Sequence, residues 1–171
     1  GMSSECEWFE VQLSEDVTPD AFESRVNAAM PDGLSVWGAF VEPEGFGSLS
    51  SKLRAAEYRV TLKFFTAVDA RSLQTALEDF LSGEIIIQKR TKSGVRPVDM
   101  RPYILEVSVE QVGDGKAVLR VLGKLQADGG LRVNSVIDAL LERLDANATY
   151  DVHRARMFFA ADGLLPRLPS E

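Results

Sequence analysis

The chain has 171 residues, of which 45% are hydrophobic and 26% charged, with a single cysteine and a formal net charge of −7 at pH 7. This composition is ordinary for a globular protein of one domain or two small ones, and it excludes a uniformly basic nucleic-acid binder. No apolar run approaches the roughly 18 residues of a membrane span, and the amino-terminal residues lack the basic region and apolar core of a signal peptide. We therefore expect a cytoplasmic protein without a membrane partner, and the single cysteine fits a reducing compartment.

The acidic amino-terminal part predicts one β-α-β unit. Residues 8–13 alternate between apolar and polar side chains, which is typical of a half-buried strand. Residues 18–20, Thr-Pro-Asp, form a helix start because the hydroxyl caps, the proline suits the first turn and the acid favours the helix dipole. That helix is expected to end at residues 31–33, and residues 34–41 are predicted to form a second strand. We interpret residues 1–47 as an incomplete, acidic β-α-β half-domain.

Residues 48–164 predict a second and larger domain. A short helix at 49–56 precedes the clearest strand, 57–64, in which apolar and polar side chains alternate strictly. Asp69 caps the next helix, which Gly83 ends. The remaining predicted elements are a strand at 85–88, strands at 105–109 and 119–124 joined by a Gly-Asp-Gly turn, a break at 128–130, a helix that carries Ile137, Leu140, Leu141 and Leu144 and is capped near Asn134 or Ser135, and a strand at 150–159.

The order of these elements indicates an α+β protein built from ferredoxin-like split β-α-β units, with helices on one face of a mostly antiparallel sheet. Residues 48–164 would form a ferredoxin-like domain with one added strand, and residues 165–171 would form a flexible tail. A split unit leaves a gap between its parallel strands, and residues 7–42 contain no strand that could fill it. We therefore expect extra pairing within the chain or a homodimer that forms near this region.

One segment, residues 84–104, concentrates positive charge against only two acids, Glu84 and Asp99. Its cations are Lys89, Arg90, Lys92, Arg96 and Arg101. Cations gathered on one loop of an acidic protein suggest a ligand-binding surface for an anion, and we expect the five to lie largely on one surface with side chains that reach solvent. Asp99 would orient the loop through a bidentate pair with one of its arginines, and two prolines would stiffen it. The alternative is a structural loop whose arginines pair with the acidic amino-terminal region.

Residues of the types that catalysis and metal binding need are scarce. Cys6 lies between Glu5 and Glu7, which would raise the pKa of its thiol and reduce its reactivity. The single histidine, His153, is interpreted as a packed or edge residue of the last strand rather than a base. One cysteine and one histidine cannot form the usual zinc site, and the sequence contains no nucleophile elbow. We expect no enzyme activity, no catalytic residues, no metal and no cofactor.

Two stretches carry a resemblance to a known family: EYRVTL at 57–62 and RTKSGVRPVDMRPYI at 90–104. They resemble a bacterial domain of unknown function found in radical-SAM-linked proteins (DUF family 2344), as do residues 8–36 and 48–60. The resemblance implies an accessory module, fused behind a cobalamin-binding radical SAM enzyme or encoded separately, whose neighbours point to RNA metabolism. The family pattern usually begins with a further basic β-α-β stretch, which is not found in this sequence.

These features lead to two functional hypotheses. The first is a non-catalytic accessory module of a radical SAM system that binds an anionic substrate, plausibly structured RNA, through the basic loop. A radical SAM enzyme holds its iron–sulfur cluster through three cysteines, so the single cysteine makes this chain a partner of such an enzyme rather than the enzyme. The alternative is a protein–protein interaction or assembly domain that docks a partner enzyme and binds no nucleic acid.

Overall fold

Segments in which apolar and polar side chains alternate form the long strands, and two amphipathic segments form the longest helices. The computed structural model describes residues 1–92, 94–126, 129–160 and 165–166. Its elements in chain order are β1 (Met2–Ser4), α1 (Pro19–Asn27), α2 (Leu49–Lys52), β2 (Leu53–Phe64), α3 (Ala70–Ser82), β3 (Ile86–Thr91), β4 (Gly94–Asp99), a 3-10 turn (Arg101–Tyr103), β5 (Ile104–Gly113), β6 (Lys116–Gln126), β7 (Gly129–Gly130), α4 (Val133–Arg143) and β8 (Ala148–Phe159).

The chain divides into two units of unequal size. The larger unit combines Gly1–Glu7 with Ser50–Glu171, and the smaller one is Trp8–Leu49. This division differs from the predicted boundary after residue 47, because the first seven residues join the larger unit through β1. The smaller unit holds eight carboxylates and one arginine, whereas the rest of the chain holds 18 charges of each sign. All of the net negative charge therefore resides in the smaller unit.

The main sheet of the larger unit has the strand order β1-β8-β2-β6-β5, and β7 pairs with β6. Within it β2 lies antiparallel to both β6 and β8, and β5 lies antiparallel to β6. Each of the two parallel pairs, β2 with β5 and β6 with β8, thus holds an antiparallel strand between its members, which is the split β-α-β arrangement of ferredoxin-like folds. The predicted α+β class is confirmed. Strand β1, which comes from outside residues 48–164, extends the sheet at its edge and lies parallel to β8.

The core lies on one face of this sheet. Directly opposed residues of antiparallel strands share a face, so the register of β2 against β6 places Tyr58 beside Val121 and Val60 beside Leu119. The fully buried side chains include Tyr58, Val60 and Leu62 from β2, Leu119 and Val121 from β6, Leu73 from α3, and Ile137 and Leu140 from α4. Burial of this apolar area is the main stabilising term of the larger unit.

Helix α3 begins with the predicted cap. The Asp69 carboxylate accepts hydrogen bonds from the backbone N–H groups of Arg71 (3.0 Å) and Ser72 (2.9 Å), and from the Ser72 hydroxyl. These bonds, led by that of the Ser72 side chain, hold the pKa of Asp69 below its usual value of 3.8. The folded state therefore favours the ionised carboxylate, and its contribution to stability is present above pH 3.8 and lost as the pH falls through the lowered pKa.

We predict that Asp69→Ala lowers the melting temperature at neutral pH, because two backbone donors lose their acceptor. The deficit relative to the native chain should shrink as the pH falls below about 3.8, since the native carboxylate then loses its charge as well. Thermal unfolding followed by circular dichroism from pH 7 to pH 3 tests this. Glu78→Gln, within the same helix, serves as a control and should change the melting temperature at neutral pH only slightly. A deficit that stays constant with pH would contradict the prediction.

The strands predicted at 8–13 and 34–41 are not formed. A strand is stable only with a partner, and in residues 34–41 side chains satisfy part of the backbone instead. The Asn27 amide bonds both the carbonyl and the N–H of Val36 at 2.7 Å, and the Glu23 carboxylate accepts from the N–H of Ala39 at 2.6 Å. The unpaired strand edges on which the expected homodimer depended are therefore missing, and the homodimer stays a prediction.

Several element boundaries also differ from expectation. The helix predicted at 49–56 is a single turn, because Ala55 and Ala56 are fully buried in β2. Helix α4 begins one residue before Asn134, and Arg132 at its cap position makes no side-chain capping bond. Of the predicted break at 128–130, Gly129–Gly130 forms β7, and Asp128 lies outside the described residues.

The start of the predicted flexible tail is ordered by packing. Leu165 is buried, and the backbone N–H of Phe159 donates to the Pro166 carbonyl at 2.7 Å. A buried side chain and a satisfied backbone donor both hold residues 165 and 166 against the end of β8, and residues 167–171 lie outside the described part of the chain. No helix in the described ranges is long and apolar enough to cross a membrane.

Candidate functional site

The basic segment folds as a two-stranded antiparallel hairpin, β3–β4, that forms a sheet of its own. The sequence had indicated a strand at 85–88 followed by a loop, but residues 94–99 pair along the whole of β3. Pro97 lies opposite Gln88, and proline is tolerated there because an outer strand has N–H groups that need no partner in the sheet. Gly94 starts β4 with a φ of 123°, a backbone conformation that favours glycine.

The register of this hairpin decides where each cation lies. Lys89 is opposite Arg96, so these two side chains share one face of the ribbon. Arg90 follows in sequence and therefore projects from the other face, opposite Val95. Lys92 lies just beyond β3, and it is exposed like Arg90 and Arg96, whereas Lys89 is half-buried. The expectation of one shared surface is therefore wrong for Arg90: the ribbon carries cations on both faces.

These four cations, Lys89, Arg90, Lys92 and Arg96, are termed the hairpin cations. Among the residues that the structure describes, none of them lies within ion-pair distance of a carboxylate. The polar face of the main sheet behaves differently. Its ion pairs are Arg120 with Glu57 and Glu106 (both 2.7 Å), Arg59 with Glu110 (3.3 Å) and Lys63 with Asp151 (2.6 Å). Several cations of the main sheet are thus paired with carboxylates, whereas the hairpin cations have no such partner among the described residues.

Arg101 is placed apart from the hairpin cations, which corrects its predicted role in ligand binding. Its Nε donates to the Leu81 carbonyl at 2.6 Å, and a terminal nitrogen donates to the Ile104 carbonyl at 3.3 Å. Leu81 belongs to the last turn of α3, where carbonyls lack helical partners, so the guanidinium satisfies acceptors that would otherwise be left open. Arg101 therefore fastens α3 to the chain that leaves the hairpin.

Asp99 orients the hairpin through the backbone rather than through a bidentate pair with an arginine. One carboxylate oxygen accepts from the N–H of Ile85 at 2.8 Å and from the N–H of Arg101 at 2.9 Å. Met100 adds a backbone bond to the Ile85 carbonyl at 2.8 Å. The two ends of the ribbon are therefore joined at its base, with Ile85 and Met100 both buried.

A second polar cluster attaches β1 to β8, and the sequence had not indicated it. Arg154 bonds the Glu7 carboxylate at 2.6 Å, and its guanidinium lies 5.6 Å from the centre of the Tyr58 ring. Burial raises the pKa of Tyr58, and burial is also the largest cause that raises the pKa of the Cys6 thiol. The thiol therefore stays protonated at neutral pH, as expected for an inert cysteine, though burial rather than the flanking acids is the main reason.

His153 lies in β8 beside β1. Its Nδ1 is 2.9 Å from the Ser3 hydroxyl, and its Nε2 is 3.5 Å from the Glu5 carboxylate. Ser3 and Glu5 are exposed and His153 is half-buried, so the three side chains do not form a closed pocket, and we assign them to the attachment of β1. Within the described ranges, no group of three or more His, Cys, Asp or Glu side chains could hold a metal ion.

Comparison with solved structures shows the fold alone. A chain in the crystal structure of a Cbf5-Nop10-Gar1 complex matches with a TM-score of 0.53 at 20% identity, over 69% of this chain and 35% of that chain. A chain in a structure of an H/ACA RNP bound to a substrate RNA containing 2′-deoxyuridine matches with a TM-score of 0.47 at 19% identity, over 68% and 33%. This chain thus spans about a third of the length of these structures.

Comparison of the sequence with other proteins gives a family. No curated protein matches the chain. Residues 1–133 match the profile of a family described as an uncharacterized protein conserved in bacteria (DUF2344), which confirms the family that the motifs at 57–62 and 90–104 predicted. The match extends over most of the chain, from β1 to the start of α4, and so includes the whole hairpin. The chain therefore belongs to the DUF2344 family.

Proposed function

We propose that this protein is a non-catalytic accessory module that binds the phosphate backbone of structured RNA through the β3–β4 hairpin. One observation carries the proposal: the hairpin cations lie together on a short ribbon, and none has a carboxylate partner among the described residues. Lysine and arginine side chains on a fixed ribbon suit phosphate because the backbone that carries them loses little conformational entropy on binding.

The distribution over both faces favours structured RNA over a single strand. Lys89 and Arg96 project to one side of the ribbon and Arg90 to the other. A ribbon that lies between two backbones meets phosphates on both sides, and a folded RNA offers two backbones along each groove. Contacts of this kind recognise shape and charge rather than base sequence. We therefore expect duplex or hairpin RNA to bind more tightly than an unstructured strand of the same length.

The proposal also assigns a partner, a radical SAM enzyme. Its support is the resemblance of the motifs at 57–62 and 90–104 to radical-SAM-linked proteins, together with membership of the DUF2344 family. In this arrangement the partner performs the chemistry, and this chain holds the RNA. The alternative, a module that binds only proteins, predicts that the hairpin cations can be neutralised without consequence for RNA.

The test compares the native chain with the variant Lys89→Gln/Arg90→Gln/Arg96→Gln, using a labelled RNA hairpin as the probe. Each lost phosphate contact should reduce the slope of log affinity against log salt by about one, so three losses should weaken binding by at least ~100-fold at low salt. Lys116→Gln and Arg71→Gln, exposed cations outside the hairpin, are the matched controls and should bind within about twofold of the native chain. Native affinity and native salt slope in the triple variant would contradict the proposal.

A further inference from the structure

The feature with no assigned role is an apolar groove beside α1, within the smaller unit. It is open to solvent and has a volume of about 400 Å³. Leu13 and Val17 line one side, and Phe22, Val26 and Met30 line the other from α1 and the turn after it. The last three recur at helical spacing, so they form one apolar stripe along the helix.

This stripe is only partly covered, since Phe22 and Val26 are half-buried and Met30 is exposed. In a packed domain the apolar stripe of a helix faces a core, but α1 contributes no buried residue. Other large apolar side chains of the same unit are exposed as well, and Trp37 is 71% accessible. They are Phe9, Val11, Leu13, Met30, Leu34, Trp37 and Val41. Exposed apolar side chains gathered in one small unit mark a binding surface rather than ordinary scatter.

The charge of the unit limits what can bind there. Its single arginine, Arg25, is neutralised by Glu15 at 3.2 Å, and Glu10 and Glu23 accept backbone N–H groups from Leu49 and Ala39. Five exposed carboxylates remain without an ion-pair partner in the described part of the chain: Asp16, Asp20, Asp32, Glu42 and Glu44. A bound partner must therefore supply both apolar side chains and positive charge.

We propose that the groove binds a basic amphipathic helix of a protein partner. The apolar face of that helix would lie on Phe22, Val26 and Met30, with lysine or arginine side chains directed toward the free carboxylates. Helix α1 has nine residues and is about 13 Å long, which suits two to three turns of a second helix packed ridge into groove. Nucleic acid and anionic membranes are excluded because the unit repels them. The proposal goes beyond RNA binding, since it assigns a second surface of opposite charge.

The test uses intrinsic fluorescence of the full chain. Its two tryptophans, Trp8 and Trp37, both lie in the smaller unit, so their emission reports on that unit. The probe is a synthetic peptide of leucine and lysine, about 14 residues long, with leucines at i, i+3, i+4 and i+7. A control peptide has the same composition with the leucines spread around the helix. We expect saturable binding of the amphipathic peptide, weakened by salt, and about tenfold weaker binding of the control.

Variants locate the binding surface. Leu13→Gln/Met30→Gln should weaken the peptide by about tenfold or more, because two exposed apolar contacts are lost while the fold is spared. Asp16→Asn/Asp32→Asn should flatten the salt dependence. Val95→Gln and Glu84→Gln, both in the larger unit, are the matched controls and should bind like the native chain. If the groove variant alone shows altered emission without peptide, Met30→Gln by itself replaces it.

Three outcomes would overturn the proposal. The first is equal binding of the two peptides, since binding would then follow composition and charge rather than an apolar stripe. The second is native affinity in the groove variant, or no saturable binding at all. The third is the same change of emission when the chain is concentrated without peptide, because that result would assign the groove to a second copy of the chain.

Discussion

Replacing Asp99 with alanine should weaken RNA binding by about tenfold, although it removes a negative charge from the base of a basic hairpin. The reason is positional. The Asp99 carboxylate joins the N–H groups of Ile85 and Arg101, and charged hydrogen bonds of this kind contribute ~1.5–3 kcal/mol each. Their loss frees the two ends of the ribbon, so the hairpin cations no longer hold one arrangement. Binding then costs additional conformational entropy, which exceeds the gain from the deleted charge.

Two measurements distinguish the effect of hairpin rigidity on RNA affinity from the effect of the deleted charge. Amide hydrogen exchange should be about 100-fold faster in β3 and β4 of Asp99→Ala, and unchanged in β2 and β6, because the opening is local. Asp99→Asn removes the same charge but keeps an oxygen acceptor, so it should retain most of the protection and the affinity. Glu84→Gln removes a nearby charge that does not hold the hairpin, and it should tighten binding slightly. Tighter binding in both Asp99 variants would show that charge alone decides affinity.

A methyl group added at Gly123 should destabilise the larger unit by about 1–3 kcal/mol, because that site is already filled. A Cβ atom there would lie 2.8 Å from the Cβ and 3.0 Å from the Cγ of Leu131, and closer still to its Cδ2. Leu131 cannot retreat easily, since it is 6% exposed and its N–H donates to the Lys124 carbonyl at 2.8 Å. Urea unfolding of Gly123→Ala measures the loss as a fall in the midpoint.

A double-mutant cycle identifies the clash as the cause. Leu131→Ala alone should cost ~2–5 kcal/mol through the cavity that it leaves. The variant Gly123→Ala/Leu131→Ala should lose less than the two single changes together, because the new methyl group occupies part of the space that the leucine vacates. Gly113→Ala is the control, since a Cβ there meets no atom within 4 Å. Strict additivity of the two changes would mean that Gly123 acts through backbone conformation instead.

Sequence patterns correctly predicted the elements that bury one apolar face in the core. Strict alternation at 57–64 located β2, and the Asp69 cap located α3. Patterns failed where the backbone found another partner. Residues 34–41 are mostly apolar and were predicted to form a strand, but Asn27 and Glu23 satisfy part of their backbone. Strand β1 was missed because three residues carry no periodicity and its partner, β8, lies some 150 residues further along the chain.

The candidate site was predicted in composition and not in geometry. Counting charges identified all the hairpin cations. The face of the ribbon on which each cation lies depends on the strand register, which is known only once residues 94–99 are seen to pair with β3. Arg101 was grouped with them because sequence shows a charge and not its acceptors. The carbonyls of Leu81 and Ile104 become its partners only in three dimensions. The exposure of the apolar side chains in the smaller unit was not predicted, because the alternating pattern at 8–13 was interpreted as one face of a half-buried strand.

The β3–β4 hairpin forms a sheet of only two strands, so its outer edges could promote aggregation. A two-stranded sheet leaves unsatisfied backbone groups along both sides, and such edges recruit strands from neighbouring molecules. Pro97 removes one donor from the outer strand, and the hairpin cations make two copies of the ribbon repel each other. The charges that would attract RNA thus also oppose strand pairing between two molecules. Apolar substitutions of the hairpin cations would therefore cause aggregation in addition to the loss of RNA binding. Glutamine substitutions keep the edge polar and avoid this effect.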